Sequence, residues 1–323
     1  MIPPLSSRSG HDAAVRRLTG INRELADVQQ QISTGKRVTK PGDDAIAFAR
    51  AATLKRADAA GEAQRKAMDA AAARLTASET ALAGIADMVA RAKELALAGR
   101  NATLNAGDRQ VLALEVSELL AAARGLAEAQ GPDGEALFAG AGTPPAYAAD
   151  ADGLAAWAGL GAPPQVAVAG RTLPAGISGP EAFGVTDPLP PPDPMAPPAD
   201  PTVPPPPRTR NLFDSLAHLA ASLVEPRPDF FEAGMDEAIA AVDGHIERLA
   251  AGQALLGTRG ARLEAEAQRL DASQLQWRRD ISRLEETDMV EAIARLDRLT
   301  TILEAAQASF ARVSSLSLWD QLR

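Results

Sequence analysis

The chain has 323 residues, enough for two or three domains, and a formal net charge of -9 with no basic stretch to offset it, which argues against nucleic acid as a partner. It contains no cysteine, which excludes a disulfide framework, a thiol nucleophile and a cysteine metal site. Aromatic residues make up 3% of the chain and much of its 46% hydrophobic fraction is alanine, so slim helix-on-helix packing is favoured over one large core.

The first helix is predicted from about Gly10 to Thr34, with Gly35 as its C′ residue. Its apolar seam is Ala14, Leu18, Ile21, Leu25, Val28 and Ile32, in alternating steps of four and three. A loop from Lys36 to Asp43 follows, with a Pro41-Gly42 turn, and Asp43 or Asp44 is placed to cap the next helix. From Asp44 to about Ala98 there is no proline, and the later half carries a seam at Leu75, Ser78, Leu82, Ile85, Val89, Ala92 and Ala96. After a break from Gly99 to Gly107, a third helix shows Leu112, Val116, Leu119, Ala123 and Leu126 on one face and ends by Gly131-Pro132.

The middle of the chain differs in kind. Gly140 to Val185 is short-patterned and punctuated by glycine and proline, with strand-like pieces such as Gln165 to Val168. From Pro188 to Pro207 lie 12 of the chain's 24 prolines, a composition that favours extended polyproline II and cannot build a core. Helical character resumes from about Asn211 to Val224. A long seam then runs through Ile239, Val242, Ile246, Leu249, Leu256, Leu263, Ala267, Leu270, Trp277, Ile281 and Leu284, interrupted by Gln253, Gly260 and Gln274. The register shifts at Glu285-Glu286-Thr287-Asp288. Asp288 is placed to cap a last helix with Met289, Ile293, Leu296, Leu299 or Thr300, Leu303, Ala306, Phe310 and Val313 on one face. Leu316, Leu318 and Trp319 form an apolar cluster beyond that seam, where an aromatic needs a partner. The order is nearly palindromic: short helix, long helix, insert, long helix, short helix. Both ends therefore offer seams that need partner helices.

Little here reads as catalysis. Asp43-Asp44 has no third ligand nearby and reads as helix capping. Thr34-Gly35-Lys36 lacks the spacing of a phosphate loop. His11, His218 and His245 are far apart, and no nucleophile elbow accompanies them, so each reads as a surface or packing residue. No catalytic, cofactor-binding or metal-binding residue is expected. No apolar run reaches the about 20 residues that span a bilayer, and Met1-Ile2-Pro3-Pro4-Leu5 lacks the features of a cleavable signal peptide.

Several words carry a resemblance. Gln31-Ile32-Ser33-Thr34-Gly35-Lys36-Arg37-Val38, followed by Pro41-Gly42-Asp43-Asp44-Ala45-Ile46-Ala47, resembles the N-terminal loop of flagellins and flagellar hook-associated proteins. Asn101-Ala102-Thr103-Leu104, then Asp108-Arg109, is similar to the third-helix region of that family. Gly134-Glu135-Ala136-Leu137-Phe138-Ala139-Gly140 resembles a Gly-x-x-Leu-Phe-Ala-Gly word of its hook–filament junction branch. Ser282 to Asp288 is similar to its Ser-x-x-Glu-x-x-Asp break, and Leu316-Ser317-Leu318-Trp319 to its Ser-Leu-aromatic ending. The resemblance covers about residues 10–142 and 210–323 and omits the insert.

The resemblance implies a mainly α fold: a flagellin-like antiparallel long-helix bundle formed by the N- and C-terminal segments, with a small β-rich and proline-rich inserted domain. The implied domains are 1–43 with 288–323 for coiled-coil assembly, 44–140 with 208–287 for the long-helix bundle, and 141–207 as a variable outer insert. The implied function is a structural axial component of the bacterial flagellum. It would form the junction between hook and filament by self-assembly after type III export, and would be extracellular. The alternatives are flagellin itself, or an adhesive or carbohydrate-binding module on a coiled-coil scaffold. The implied partners are further copies in a ring, a neighbouring hook-associated protein, flagellin, and a cytoplasmic export chaperone at the C-terminal segment. The assembly interface would be Leu18, Ile21, Leu25, Val28 and Ile32 with Ile293, Leu296, Leu303, Phe310, Val313, Leu316, Leu318 and Trp319. Asp43, Asp44 and Asp288 would cap helices.

Overall fold

A computed structural model describes residues 5–321 except 102, 143–144, 150–153, 169 and 187–208, with side chains described for 12–312 outside those gaps. The proline-rich run lies outside the described residues. Seven helices are described: α1 (Leu5–Thr34), α2 (Ala45–Gly99), α3 (Ala106–Ala127), α4 (Gly179–Phe183), α5 (Leu212–Leu223), α6 (Pro228–Glu285) and α7 (Met289–Gln321). Four short strands form two antiparallel hairpins, β1 (Tyr147–Ala149) with β2 (Ala155–Trp157) and β3 (Gln165–Val168) with β4 (Arg171–Pro174). The mainly helical fold expected from the sequence is the one observed, with long N- and C-terminal helices packed together and a small two-hairpin insert. The chain divides into two compact units, Glu62–Asp271 and Met1–Gly61 with Ala272–Arg323.

Within Glu62–Asp271, α2 and α6 run antiparallel. Arg65 pairs with Asp271 at 2.5 Å, Lys93 with Asp243 at 2.6 Å and Arg100 with Asp236 at 2.7 Å. These pairs advance by four heptads and then one on both helices, so a single seven-residue register holds across the unit. The seam residues of α2 from Leu75 to Ala96 are all buried, and they face Val242, Leu249, Leu256 and Leu263 of α6 in one core. The α3 helix lies on α5, with Val116 and Ala123 buried from one and Leu212, Leu216 and Leu219 from the other. Both helices begin on an asparagine cap: Asn105 accepts from the Asp108 amide at 3.0 Å and Asn211 from the Asp214 amide at 2.9 Å.

Two arginines of the long helices hold the insert and the segment that leads into it. Arg74 of α2 is 3% exposed and donates to the carbonyls of Ala136 at 2.6 Å and Leu137 at 3.3 Å. Arg259 of α6 donates to the Gly176 carbonyl and lies 3.7 Å from Glu181. Arg74 Nη1 also reaches the Asp133 carboxylate at 3.4 Å, so its two terminal nitrogens are paired, which offsets part of the cost of burying the guanidinium, while its Nε has no partner among the described residues. Phe138, Ala139 and Gly140 run beside Leu160, whose amide donates to the Ala139 carbonyl at 2.9 Å. The Phe138 carbonyl accepts from the Trp157 ring nitrogen at 3.0 Å and from the Gly179 amide at 2.9 Å. The Phe138 ring meets Phe183 edge-on at 5.0 Å, and Tyr147 joins Phe183 and Phe213 in the same cluster. Gly140 has φ of +65°, and a Cβ there would stand 2.6 Å from the Leu160 carbonyl oxygen, so no other residue fits without displacing backbone.

The unit Met1–Gly61 with Ala272–Arg323 holds α1, α7, the start of α2 and the end of α6. The α1 helix packs along α7. Arg278 of α6 meets Asp58 of α2 at 3.0 Å. The α7 helix continues to Gln321, so Leu316, Leu318 and Trp319 belong to it rather than following it as the sequence suggested. Nothing in the sequence before Gln321 breaks a helix, since Ser315 and Ser317 are neutral in propensity and no glycine or proline intervenes.

Candidate assembly site

Two words that stand at opposite ends of the sequence meet in space. The α1 helix ends at Thr34, and Gly35 takes φ of +68°, which turns the chain sharply out of the helix. The next three residues lie along the end of α6. The amides of Arg37 and Val38 donate to the Glu285 carbonyl at 2.6 and 3.3 Å. The Arg37 guanidinium donates to the Leu284 carbonyl at 3.1 Å, and the Thr287 amide returns to the Gly35 carbonyl at 2.9 Å. The backbone groups left over at the end of α6 are thus satisfied by the loop after α1. Val38, 2% exposed, closes the contact.

Glu285 is the charged centre of this node. It is buried, and its carboxylate binds Lys36 at 3.3 Å and also Lys55 of α2. Burial acts to raise the Glu285 pKa, but hydrogen bonds and charge from Lys55 and Lys36 together outweigh it and hold the carboxyl below its ordinary range. The helix starts on either side are capped. Asp44 accepts from the Ala47 amide at 2.9 Å and opens α2, while Asp288 accepts from the Val290 amide at 2.9 Å and the Glu291 amide at 3.2 Å and opens α7. Asp43 closes the loop, accepting from the Thr39 and Lys40 amides at 3.0 and 3.1 Å. Those backbone hydrogen bonds, from Thr39 first, lower its pKa, and the Ala47 amide does the same for Asp44.

The paired terminal helices place the candidate interface residues unevenly. Val28 of α1 is buried, and Leu18, Ile21, Leu25 and Ile32 are partly buried. On α7 the buried residues are Ala292 and Leu299, with Leu296, Leu303 and Phe310 partly buried. Ile293 is 48% exposed, as are Met289 at 41%, Val290 at 79% and Ile302 at 44%, and Val15 of α1 is 43% exposed. Arg295 and Glu24 face each other at 3.9 Å and mark the register of the two helices. The side chains of Val313, Leu316, Leu318, Trp319 and His11 lie outside the described residues.

Sequence reading missed the buried polar groups of α5 and α6. Ser215 Oγ and His245 Nε2 are 2.9 Å apart, and both residues are buried. Desolvation, with the Arg248 charge beside it, pushes His245 down to about 4. Ser215 is wholly buried, so the pair cannot meet a substrate; it joins two helices. His218 lies 3.6 Å from Glu237, its pKa lowered by burial and by Arg210. The one signal available in sequence was the spacing: His245 stands between Val242 and Leu249, on the buried line of α6. Tyr147 packs edge-on against Phe183 and Phe213 and, with Phe213, Arg124, Glu128 and Pro145, lines a pocket of about 310 Å³, whereas Trp157 is tied to the Phe138 carbonyl and is not on its wall. Among the described residues no group of three or more His, Cys, Asp or Glu is placed to hold a metal, and no helix is long and apolar enough to cross a membrane.

A chain whose two ends fold together as long helices around a docked loop, with a small insert carried between them, has the architecture of flagellin-like structural proteins. The pattern of the bacterial flagellin N-terminal helical region matches residues 8–143, and that of the C-terminal helical region matches residues 239–321. Flagellar hook-associated protein 3 of Escherichia coli (strain K12) is 26% identical over 323 residues, covering 97% of this chain and 98% of that protein. Among solved structures, flagellar hook-associated protein-3 from Legionella pneumophila superposes with a TM-score of 0.60 at 13% identity, covering 72% of this chain and 98% of that one. The flagellar junction protein FlgL from Legionella pneumophila gives 0.51 at 14% identity, with 63% and 95% covered. The chain belongs to the bacterial flagellin family, and within it is a structural component of the flagellum of the hook-associated protein 3 kind, not an enzyme.

Proposed function

We propose that the chain forms the junction between hook and filament by self-association in a ring, after export through the flagellar type III apparatus. Its neighbours are a second hook-associated protein and flagellin, and a cytoplasmic chaperone holds the C-terminal segment before export. Residues 1–43 with 288–323 make the assembly domain, 44–140 with 208–287 the long-helix bundle, and 141–207 the outer insert. The observation that carries this reading is the apolar surface left on the paired chain ends. Met289, Val290 and Ile293 share one face of the first turns of α7 and stay uncovered after α1 has packed against it, and an apolar patch of this kind marks a contact with another molecule. Of the interface residues named from sequence on α1 and α7, we assign the exposed and partly buried ones to contacts between copies, while Val28 is already buried within the subunit.

The test is a strain lacking this chain, observed by electron microscopy with antibody against it. Hooks without attached filaments, restored by the parent chain and labelled at the hook's distal end, are the expected result. Label along the whole filament would show a flagellin instead, and full filaments without the chain would overturn the reading.

A further inference from the structure

Gly260 breaks the long C-terminal seam, and the fold shows what it leaves open. In the unit Glu62–Asp271, Gly257 and Gly260 stand beside α2, and a Cβ at either would meet nothing within 4 Å. A groove of about 370 Å³ runs there, with Met68, Leu75, Leu256 and Leu263 on its floor. Asp69, Glu79 and Glu264 line its rim, and the one arginine present, Arg65, is engaged by Asp69 and Asp271. Glycine weakens a helix interior, so an exposed glycine at 257 and a half-buried one at 260, bordering an apolar groove, ask for an occupant.

The other flank of the same helix is its electrostatic complement. At 100° per residue, Gly257, Gly260 and Glu264 lie on one side of the buried Leu256–Leu263 line, and Arg259 and Arg262 on the other. There Arg171 of the β3–β4 hairpin, Arg262 and Arg269 border a second groove of about 670 Å³. Arg269 is held by Glu266 at 2.5 Å. Arg171 is exposed on its strand and Arg262 on its helix, and neither has an ion-pair partner among the described residues.

We propose that these two flanks are the two halves of one head-to-tail contact between copies of this chain. The hairpin flank of one copy seats on the glycine groove of the next, with Arg171 and Arg262 meeting Glu79 and Glu264. This rests on the self-association proposed above and assigns it a surface away from the chain ends. Because the halves are different surfaces, the contact is heterologous and repeats from copy to copy, as a ring requires. Opposite charges on the rims set direction and register.

The test uses the full chain in sedimentation velocity at low and at physiological salt, with thermal melting as the check on folding. The parent should associate, less so at higher salt. Gly260→Leu should melt no lower than the parent, since the position is open, yet associate at least tenfold more weakly. Arg171→Glu with Arg262→Glu should stop association, as should Glu79→Lys with Glu264→Lys, and mixing the two charge-reversed proteins should restore it. A parent that stays monomeric would overturn both this contact and the self-association beneath it. A parent that associates while all these variants match it would overturn this contact alone.

Discussion

Lys36 and Glu285 lie 3.3 Å apart, one in the loop after the first helix and the other at the end of the sixth. Lys55 joins the same carboxylate, and the Glu285 carbonyl takes two amides from that loop. One residue thus ties together three segments from the two ends of the chain. Replacing Glu285 by alanine leaves two lysines without their acceptor but keeps the backbone bonds. Both lysines are about half exposed and can hydrate, so the expected loss is about 1–2 kcal/mol. It should appear as faster proteolysis between Lys36 and Asp44. Since the folded pKa is lowered, the contribution is present above the ordinary glutamate range and disappears as pH falls through the folded value. An unchanged cleavage rate in the variant would remove Glu285 from this role.

His245 sets a second dependence on pH. It is buried neutral beside Ser215, with a pKa near 4 against an ordinary value of 6.5. The unfolded chain therefore takes up a proton before the folded one does. Stability is whole above pH 6.5 and falls as pH drops toward 4, by about 3 kcal/mol at most. Thermal melts of the parent and of His245→Gln, compared at pH 7 and pH 4.5, should show a smaller drop in the variant. Equal drops would mean that the histidine is not the titrating group.

The Leu-Phe-Ala-Gly word should behave as a structural keystone. Phe138 is wholly buried against Phe183, and Phe138→Ala should cost about 3–5 kcal/mol. Gly140→Ala should cost about 1–3 kcal/mol from the left-handed backbone alone, with the clash at Leu160 added. Urea unfolding of both variants gives the check. A change below about 0.5 kcal/mol in either, the size of an ordinary surface substitution, would show that the word is not what holds the insert.

The proline-rich run should be dispensable for folding. Thr186 and Asn211 bracket it, and the Asn211 amide donates to Thr186 Oγ at 2.9 Å, so the base of the loop is tied by its own hydrogen bond. Deleting 188–207 leaves a four-residue connection across that tie. Shortening a flexible loop lowers the closure cost only slightly, so circular dichroism melts of the deletion and the parent should coincide within a few degrees. A lost cooperative transition would show that the run packs against the helices.

The long seams were legible because burial on a helix imposes a period that sequence cannot hide: Leu82, Val89, Leu256 and Leu263, spaced by whole heptads, are all core. The meeting of Gly35–Val38 with Leu284–Thr287 was not legible as a contact, because it is made mostly by backbone groups. The insert's anchoring was hidden for a related reason. Arg74 and Arg259 look like any surface arginine until their carbonyl acceptors are in view. In α7 the larger side chain misled. Ile293 attracted the assignment, yet Ala292 starts the unbroken alternation of four and three through Leu296, Leu299, Leu303, Ala306 and Phe310, and Ala292 is the buried one.

That difference separates packing within the chain from packing between copies. Leu299 is 7% exposed and Ile293 is 48% exposed on the same helix. Leu299→Ala removes a side chain that α7 already buries in the single subunit, so it should destabilise the free protein by about 2–3 kcal/mol. Ile293→Ala removes one that the subunit leaves in water, and its melting should stay within about 0.5 kcal/mol of the parent. If the exposed line of α7 is an assembly surface, the order reverses in the cell. Ile293→Ala with Val290→Ala should then weaken filament attachment while the purified protein melts normally. Motility on soft agar, set against the melting curves, reads both. Normal swimming by the double variant would mean that Val290 and Ile293 face solvent in the flagellum too, and that the contact between copies runs along another face.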